Sequence, residues 1–458
     1  MAGSYDAAGP FLEHNQPYKH RMFAVFLPAL NFRGNHSPYL WWFYKFVSEF
    51  GAHAGFISGD EYYRDPSELL AEGRFEACEA TANLYRYNLP DQTGLGKLSL
   101  QVIPREVWQA FEARHGANPL AALRHYCQEN DPGLRSAMAS ALDTFGSSHG
   151  QPEAVITCVN CATLKNLCHD RGLPLIHFEL GPLRPPFFLQ TAYFDFSGVN
   201  GTTESESRFT STENGTIREL LASHSVETLR RLFMVQLPKD NGQPVVDLGL
   251  GLQIEDDSNI VCYANNHSSI SLINHARRLL SQQSIRSPVL VRTHPGSHFL
   301  LRGLPAGMEV DRSPSSLDFL MRCKQIITIN SGIAVEALLL GRGAIVHGDS
   351  PFGYCITPET GRVNASAYAF FLLNYLVPWE LAFTPDYIRW RLEKPSEEEI
   401  LRRHLESHMQ EKIRLLELRV AELEKQLSGI QSSWAWRMTY PLRAIHKVLS
   451  RFAGLRSD

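Results

Sequence analysis

The sequence predicts an α/β protein of two Rossmann-like domains facing a cleft, followed by a C-terminal coiled-coil and amphipathic helix. Three observations carry this expectation. Short continuous apolar runs ending at turn-forming residues read as strands buried on both faces of a parallel sheet. These runs alternate with segments of helical period in two successive blocks, the pattern of βα units. Beyond about Ser396 the alternation stops and apolar residues recur at heptad spacing.

The bulk properties agree. A chain of 458 residues exceeds one ordinary core, so two or three domains are expected. With 44% hydrophobic and 20% charged residues it reads as soluble and globular. A net charge of −4 gives no global attraction to nucleic acid, and no nucleic-acid partner is expected. No signal peptide and no apolar run of roughly 20 residues is present, which points to the cytoplasm. The eight cysteines are scattered. Cys158, Cys161, Cys168 and His169 form the one group resembling a metal motif, but no second ligand pair follows, and buried small apolar residues are the better account.

Residues 1–20 are polar and turn-rich and read as a frayed leader. Met22–Leu27 is an apolar run ending at Pro28, hence a buried strand. A loop containing Gly34 follows, where backbone N–H groups can approach a ligand, and then an aromatic-rich helix, Tyr39 to Phe50. Residues 65–150 are mostly of helical period. Ala154–Cys158 and Leu175–Phe178 return as strands, and Glu179-Leu-Gly-Pro-Leu-Arg-Pro-Pro has too many prolines for a helix. Polar, turn-rich sequence then runs to about Gly215. This places a first Rossmann-like domain at 21–215 and a second at 216–395. Strands are expected there at Val245–Leu250, Ile260–Tyr263, Val289–Arg292, Gln325–Ile329 and Ala344–His347. Helices are expected at Ile270–Gln283, Ser315–Arg322 and Gly332–Leu340.

In the helical segment 396–431, Met409, Ile413, Leu416, Val420, Leu423, Leu427 and Ile430 follow a 4-3-4-3-4-3 spacing. Taking Ile413 as position a, Lys412 and Arg419 fall at g, and Glu417 and Glu424 at e. That favours a parallel homo-oligomer through 409–430; the alternative is packing on the chain's own core. In the tail, 432–458, Leu442, Ile445, Val448, Leu449 and Phe452 make one helical face, and Arg443, Lys447 and Arg451 the other, headed by Trp434 and Trp436. A basic amphipathic helix of this kind suits an anionic inner-membrane surface, the alternative being a partner protein.

Four features carry chemistry. Glu255, Asp256 and Asp257 crowd the end of a buried strand; a solvated loop and a working carboxylate both fit them. Arg292-Thr-His294-Pro295 ends another strand, the proline stopping the ladder so that Arg292 and His294 can meet an anion such as a phosphate. At Asn330-Ser331-Gly332 a strand meets a helix, presenting N–H groups and a hydroxyl as a phosphate cradle, with Glu336 one turn on, where ribose hydroxyls and a plain surface position both fit it. The Glu179/Arg184 loop is a candidate for the opposite wall. Together these describe a nucleotide site in the two-domain GT-B plan of transferases that use nucleotide sugars.

At these residues the chain resembles bacterial retaining β-Kdo glycosyltransferases of the capsule polysaccharide and O-antigen synthesis family. The resemblance rests on Glu179-Leu-Gly-Pro-Leu-Arg184-Pro185 with Gly198-Val-Asn200; on Leu252-Gln253-Ile-Glu-Asp-Asp257-Ser-Asn259-Ile260; on Arg292-Thr-His294-Pro295; and on Asn330-Ser331 through Glu336-Ala-Leu. Asn259 stands where the family has Gln, and Arg292 where it has Lys. The resemblance implies transfer of Kdo from CMP-β-Kdo with retention, Asp257 as nucleophile and Glu179 handling the acceptor's proton. Arg184 would pair with the Kdo carboxylate, with Asn200, Gln253 and Asn259 lining the substrate. Arg292, His294, Pro295, Asn330, Ser331 and Gly332 would hold the nucleotide phosphate, and Glu336 the ribose. No cofactor and no metal is expected, the donor being a substrate, and the acceptor would be a membrane-linked glycan on the inner face of the cytoplasmic membrane. Another CMP-activated ulosonic acid as donor, or a non-catalytic nucleotide-sugar or glycan-binding scaffold, are the alternatives.

Overall fold

A computed structural model describes residues 21–212, 216–236, 244–297, 301, 303–358 and 360–432. The chain divides into two compact units, Met1–His177 and Phe178–Asp458. In the first, strands β1 (Phe23–Phe26), β2 (Ala54–Ser58), β3 (Ser99–Val102), β4 (Val155–Thr157) and β5 (Leu175–Leu180) are introduced in chain order. They pair all-parallel as β3-β2-β1-β4-β5, β5 contributing Leu175 to His177. β1 is wholly buried, which is why its sequence is uninterrupted Phe-Ala-Val-Phe. β2 and β3 escaped the sequence reading; β2 is interrupted by Gly55, and β3 is a four-residue piece lying among helices.

The second unit holds β6 (Thr191–Asp195), β7 (Val246–Gly251), β8 (Val289–Arg292), β9 (Met308–Val310), β10 (Cys323–Thr328), β11 (Gly343–Val346) and β12 (Val377–Pro378). Five of these form a parallel sheet in the order β9-β8-β7-β10-β11, while β6 and β12 pair antiparallel. Each unit thus repeats the 3-2-1-4-5 order of a Rossmann sheet. Two such sheets in one chain are the GT-B plan. The compact division falls after His177, whereas composition placed a boundary near 215; Glu179, Arg184 and Asn200 therefore lie in the second unit. The physical reason is that the turn-rich stretch is well packed: Leu183, Phe188, Tyr193, Val199 and Phe209 belong to a core shared with Tyr368, Phe371 and Tyr375.

One expected element is corrected. Ile260–Tyr263 reads as a strand because of its Ile-Val-Cys-Tyr run, but the structure has a helix, Ser258–Tyr263. Asp257 caps it, its Oδ1 accepting from the Asn259 N–H at 2.8 Å, and capping outweighs β propensity in so short a run. Elsewhere β7, β8, β10 and β11 and the helices Ser269–Ser281, Ser316–Arg322 and Ile333–Leu339 fall within a residue or two of expectation. In the first unit the Gly34 N–H is taken by Asn31 Oδ1 at 2.8 Å, closing a local turn. Cys161 caps the helix Ala162–Asp170, and burial pushes its thiol up to about 11 and that of Cys168 to about 12, so both are poor thiolates. Among the described residues no group of His, Cys, Asp or Glu could hold a metal, and no helix is long and apolar enough to cross a membrane.

The last described element is a 36-residue helix, Glu397–Ser432. Ser396 and Glu399 start it with reciprocal side-chain to backbone bonds at 3.3 and 2.8 Å. Its first turns are docked by two fully enclosed histidines. His404 Nδ1 donates to Leu373 O at 3.0 Å and Nε2 accepts from the Tyr387 hydroxyl at 2.7 Å, while the His408 ring lies 4.7 Å from that of Phe233. Burial holds both imidazoles neutral, His404 well below the usual range and His408 down to about 3. In the unfolded chain they titrate near about 6.5. Their stabilising contribution is therefore complete above that value and is lost as pH falls through it, by about 1.4 kcal/mol per pH unit for each ring. Melting temperature is expected to fall between about pH 7 and pH 5, with a shallower slope in His408→Leu, measured by thermal unfolding. An unchanged slope in that variant would remove His408 from the account. Of the tail, 432–458, everything after Ser432 lies outside the described residues, as does the leader, 1–20.

Candidate active site

In the second unit, β7 and β10 are neighbours at the point where the strand order reverses, the place where open α/β sheets bind ligands. Their carboxyl ends are joined by Gln253 and Asn330, 77 positions apart in the chain. Gln253 Nε2 donates to Asn330 Oδ1 at 2.8 Å, and its Oε1 accepts from the Asn330 N–H at 3.0 Å and the Thr328 hydroxyl at 3.3 Å. Asn330 Nδ2 then donates to Asn259 O at 3.0 Å and Tyr263 O at 3.2 Å. Asn330 is buried, so every polar atom it carries must find a protein partner. Gln253, Asn330 and the Asn259 carbonyl thus form the frame that fixes the turn after β10 against the helix Ser258–Tyr263.

That frame aims Asp257. Its Oδ1 is occupied by the helix cap and lies 3.5 Å from the Ser258 hydroxyl, while Oδ2 has no hydrogen-bond partner among the described residues. Ser258 Oγ in turn accepts from Asn200 Nδ2 at 3.0 Å. Asn200 sits at φ 66 in a loop held by buried Asp195, whose oxygens take the N–H groups of Ser197, Gly198 and Glu204 and the Tyr375 hydroxyl. Ser258 is a functional neighbour that the sequence reading missed; its place beside an N-capping aspartate is the signal that could have marked it. Of the other two acidic residues, Glu255 accepts from the Ser297 hydroxyl at 2.6 Å.

Glu179 follows at the end of β5, partly buried, with Oε1 accepting from the Leu180 N–H at 2.7 Å. Burial pushes its carboxyl up to about 7; the negative charge of Asp257 pushes the same way, and the Arg184 guanidinium opposes them. Arg184 is exposed, and its Nε donates to Gly181 O at 2.8 Å, which anchors the loop and leaves the terminal nitrogens outward. The loop packs on the turn after β10. A Cβ at Gly332 would lie 2.8 Å from that of Pro182, so only glycine lets the two segments touch this closely. Ser331 Oγ accepts from the Ile333 N–H at 3.3 Å, and the amides of Ser331 and Gly332 donate to no protein acceptor among the described residues.

Beyond β8, His294 Nδ1 accepts the Gly296 N–H at 3.0 Å, which places the ring proton on Nε2. Burial keeps this imidazole below its usual range, against the pull of Asp257, so near pH 7 it is a neutral donor. Pro295 is exposed beside it. Arg292 is drawn inward: one terminal nitrogen donates to Oδ2 of the buried Asp311 at 2.6 Å and to Ser313 O at 2.9 Å. Asp311, at the end of the three-residue β9, carried no sequence signal for this. Glu336 accepts from the Ser316 hydroxyl at 3.0 Å, and burial pushes its carboxyl up to about 7. The site therefore brings together an anchored carboxylate with one open oxygen, a second carboxyl poised near neutrality, an outward guanidinium, and neutral N–H and O–H donors.

Residues 25–204 match the model of the Glycosyltransferase 99 family N-terminal domain, a span that includes Glu179, Arg184 and Asn200. That match covers an N-terminal portion of the chain, less than half of its length. Of the four sequence blocks, the first lies within that span. No curated protein matches the chain. Similar solved structures include the KpsC β-Kdo 2,7 transferase of Thermosulfurimonas dismutans, 17% identical, covering 52% of this chain and 82% of that one with a TM-score of 0.38. The β-Kdo 2,4 transferase of the same organism's KpsC is 17% identical over 49% of this chain and 81% of that one, TM-score 0.33. SnogD of Streptomyces nogalater is 13% identical over 87% of this chain and 99% of that one, TM-score 0.29.

Proposed function

We propose that the chain is a glycosyltransferase that moves Kdo from CMP-β-Kdo to a glycan or glycolipid acceptor with retention of configuration, in the synthesis of a bacterial surface polysaccharide. The observation that carries the reading is the pair of unlike carboxyls, Asp257 with Oδ2 open and Glu179 pushed to about 7. In the first displacement Asp257 Oδ2 attacks C2 of the sugar, the C2–phosphate oxygen bond breaks, and CMP leaves with the electron pair. In the second, the acceptor hydroxyl attacks C2, Glu179 takes its proton, and the Asp257 carboxylate is expelled. Two inversions give net retention.

Arg184 meets the carboxylate of the sugar acid. His294 Nε2–H, with the hydroxyl and amide of Ser331 and the amide of Gly332, meets the phosphate; Glu336, one helical turn further on, is assigned to the ribose. Arg292, neutralised by Asp311, acts by holding the β8 end in place. Gln253, Asn259 and Asn330 support the frame, and Asn200 supports Asp257 through Ser258. With these donors on the leaving phosphate the proposed transfer runs without a metal. The acceptor is placed at the inner face of the cytoplasmic membrane, on the basic amphipathic pattern of 432–458.

The test is release of CMP when purified protein is incubated with a panel of CMP-activated sugars and a capsule or lipopolysaccharide acceptor fraction. Release confined to CMP-β-Kdo is expected. Release with a different ulosonic acid would replace the donor, and no release from any of them would favour the scaffold alternative.

A further inference from the structure

The helix Glu397–Ser432 presents two different surfaces. As far as Leu415 it lies on its own core: Leu401 is buried, Leu405 and Leu415 pack against the same cluster, and Lys412 Nζ donates to Met234 O. Every residue from Leu416 to Ile430 is exposed. Ile413, Leu416, Val420, Leu423, Leu427 and Ile430 nonetheless keep the heptad spacing, each leaving between 48% and 54% of its surface in water. Among the described residues, burial of the helix on its own core, the alternative left open by the sequence, ends at Leu415. A helix whose apolar stripe stays exposed in this way is stable in water chiefly through a partner.

The residues specify which partner. Position a holds Ile413, Val420 and Leu427; position d holds Met409, Leu416, Leu423 and Ile430. β-branched residues at a with Leu at d favour two strands, as Ile413 with Leu416 and Val420 with Leu423 have it, while Leu427 with Ile430 in the last heptad does not follow the pattern. The flanking charges set the direction. In a parallel pair, Arg419 at g meets Glu424 of the partner subunit at e, twice by symmetry. An antiparallel pair would set g against g and e against e, cation beside cation and Glu beside Glu. Lys412 is already engaged by Met234 O, so the Arg419 pair carries the selection.

We propose that residues 409–430 pair with the same segment of a second copy as a parallel two-stranded coiled coil. Light scattering on the full chain across a concentration series should show a dimer. Arg419→Glu sets Glu against Glu at both symmetric contacts and should weaken dimerisation on the order of tenfold, while the double variant Arg419→Glu/Glu424→Arg should restore it. Positions five apart do not face each other on one helix, so that rescue comes from the partner. Both positions are exposed, so melting of the monomer should not change. Val420→Cys under mild oxidation should give a linked dimer absent from the wild-type control, because a positions face one another only in the parallel arrangement. A monomer at all concentrations, a trimer mass, failure of the charge swap to restore pairing, or no cross-link at Val420→Cys would each overturn the proposal.

Discussion

Replacing Asp257 by asparagine should abolish sugar transfer, by on the order of 10⁴-fold or more, while leaving the fold and CMP binding in place. The choice of asparagine follows from the geometry. Oδ1 caps the helix Ser258–Tyr263 by accepting the Asn259 N–H at 2.8 Å, and an amide oxygen accepts that bond equally well. Only the anionic Oδ2 is lost, replaced by an NH₂ group that cannot form an ester with C2. Asp257→Ala would remove cap and nucleophile together and cost about 1 kcal/mol of local stability, so its inactivity would be ambiguous. The measurement is CMP-sugar turnover beside a melting curve and CMP binding by calorimetry. Transfer within tenfold of wild type in the Asn variant would sink the nucleophile assignment. A second readout is direct: wild-type protein quenched with donor and no acceptor should carry the mass of one sugar acid on the peptide containing Asp257, and the Asn variant should not.

Glu179 should govern the acid limb of the reaction. Its carboxyl is held near 7 chiefly by burial, with Asp257 adding to the rise and Arg184 opposing it. As the base that takes the acceptor's proton it must be ionised, so kcat/KM should rise with pH through about 7 and level off above. Glu179→Gln should lose on the order of 10²- to 10⁴-fold and flatten the limb. In Arg184→Gln the limb should move to higher pH, because the cation that favours the ionised form is gone. A limb that persists unchanged in Glu179→Gln would assign the titration elsewhere.

Much of the fold was legible because its signals are local. β1, β7, β8 and β10 are apolar runs with turn residues at their ends, and a strand buried on both faces has no other way to be written. Asn330-Ser331-Gly332 was legible as a strand-to-helix turn for the same reason. The helix Ser258–Tyr263 was not, since six residues of mixed propensity leave the decision to the cap and to the Tyr263 carbonyl that Asn330 and Asp349 use.

The site divides along the same line. By itself the sequence determined which residue types stand at the sheet's carboxyl edge: Asp257, His294, Ser331, Glu336 and the Glu179/Arg184 loop. It also determined the heptad stripe from Met409 to Ile430, a pattern of spacing alone. The tertiary structure decided what each group is able to do. It turned Arg292 inward to Asp311 and made Gln253 and Asn330 each other's partners across 77 positions. It set Pro182 against Gly332, left Asp257 one open oxygen, and raised Glu179 by burial and a neighbouring charge. The reason is physical: periodicity and turn chemistry act within a few residues, whereas desolvation, charge and hydrogen-bond satisfaction depend on atoms brought together only by the folded chain.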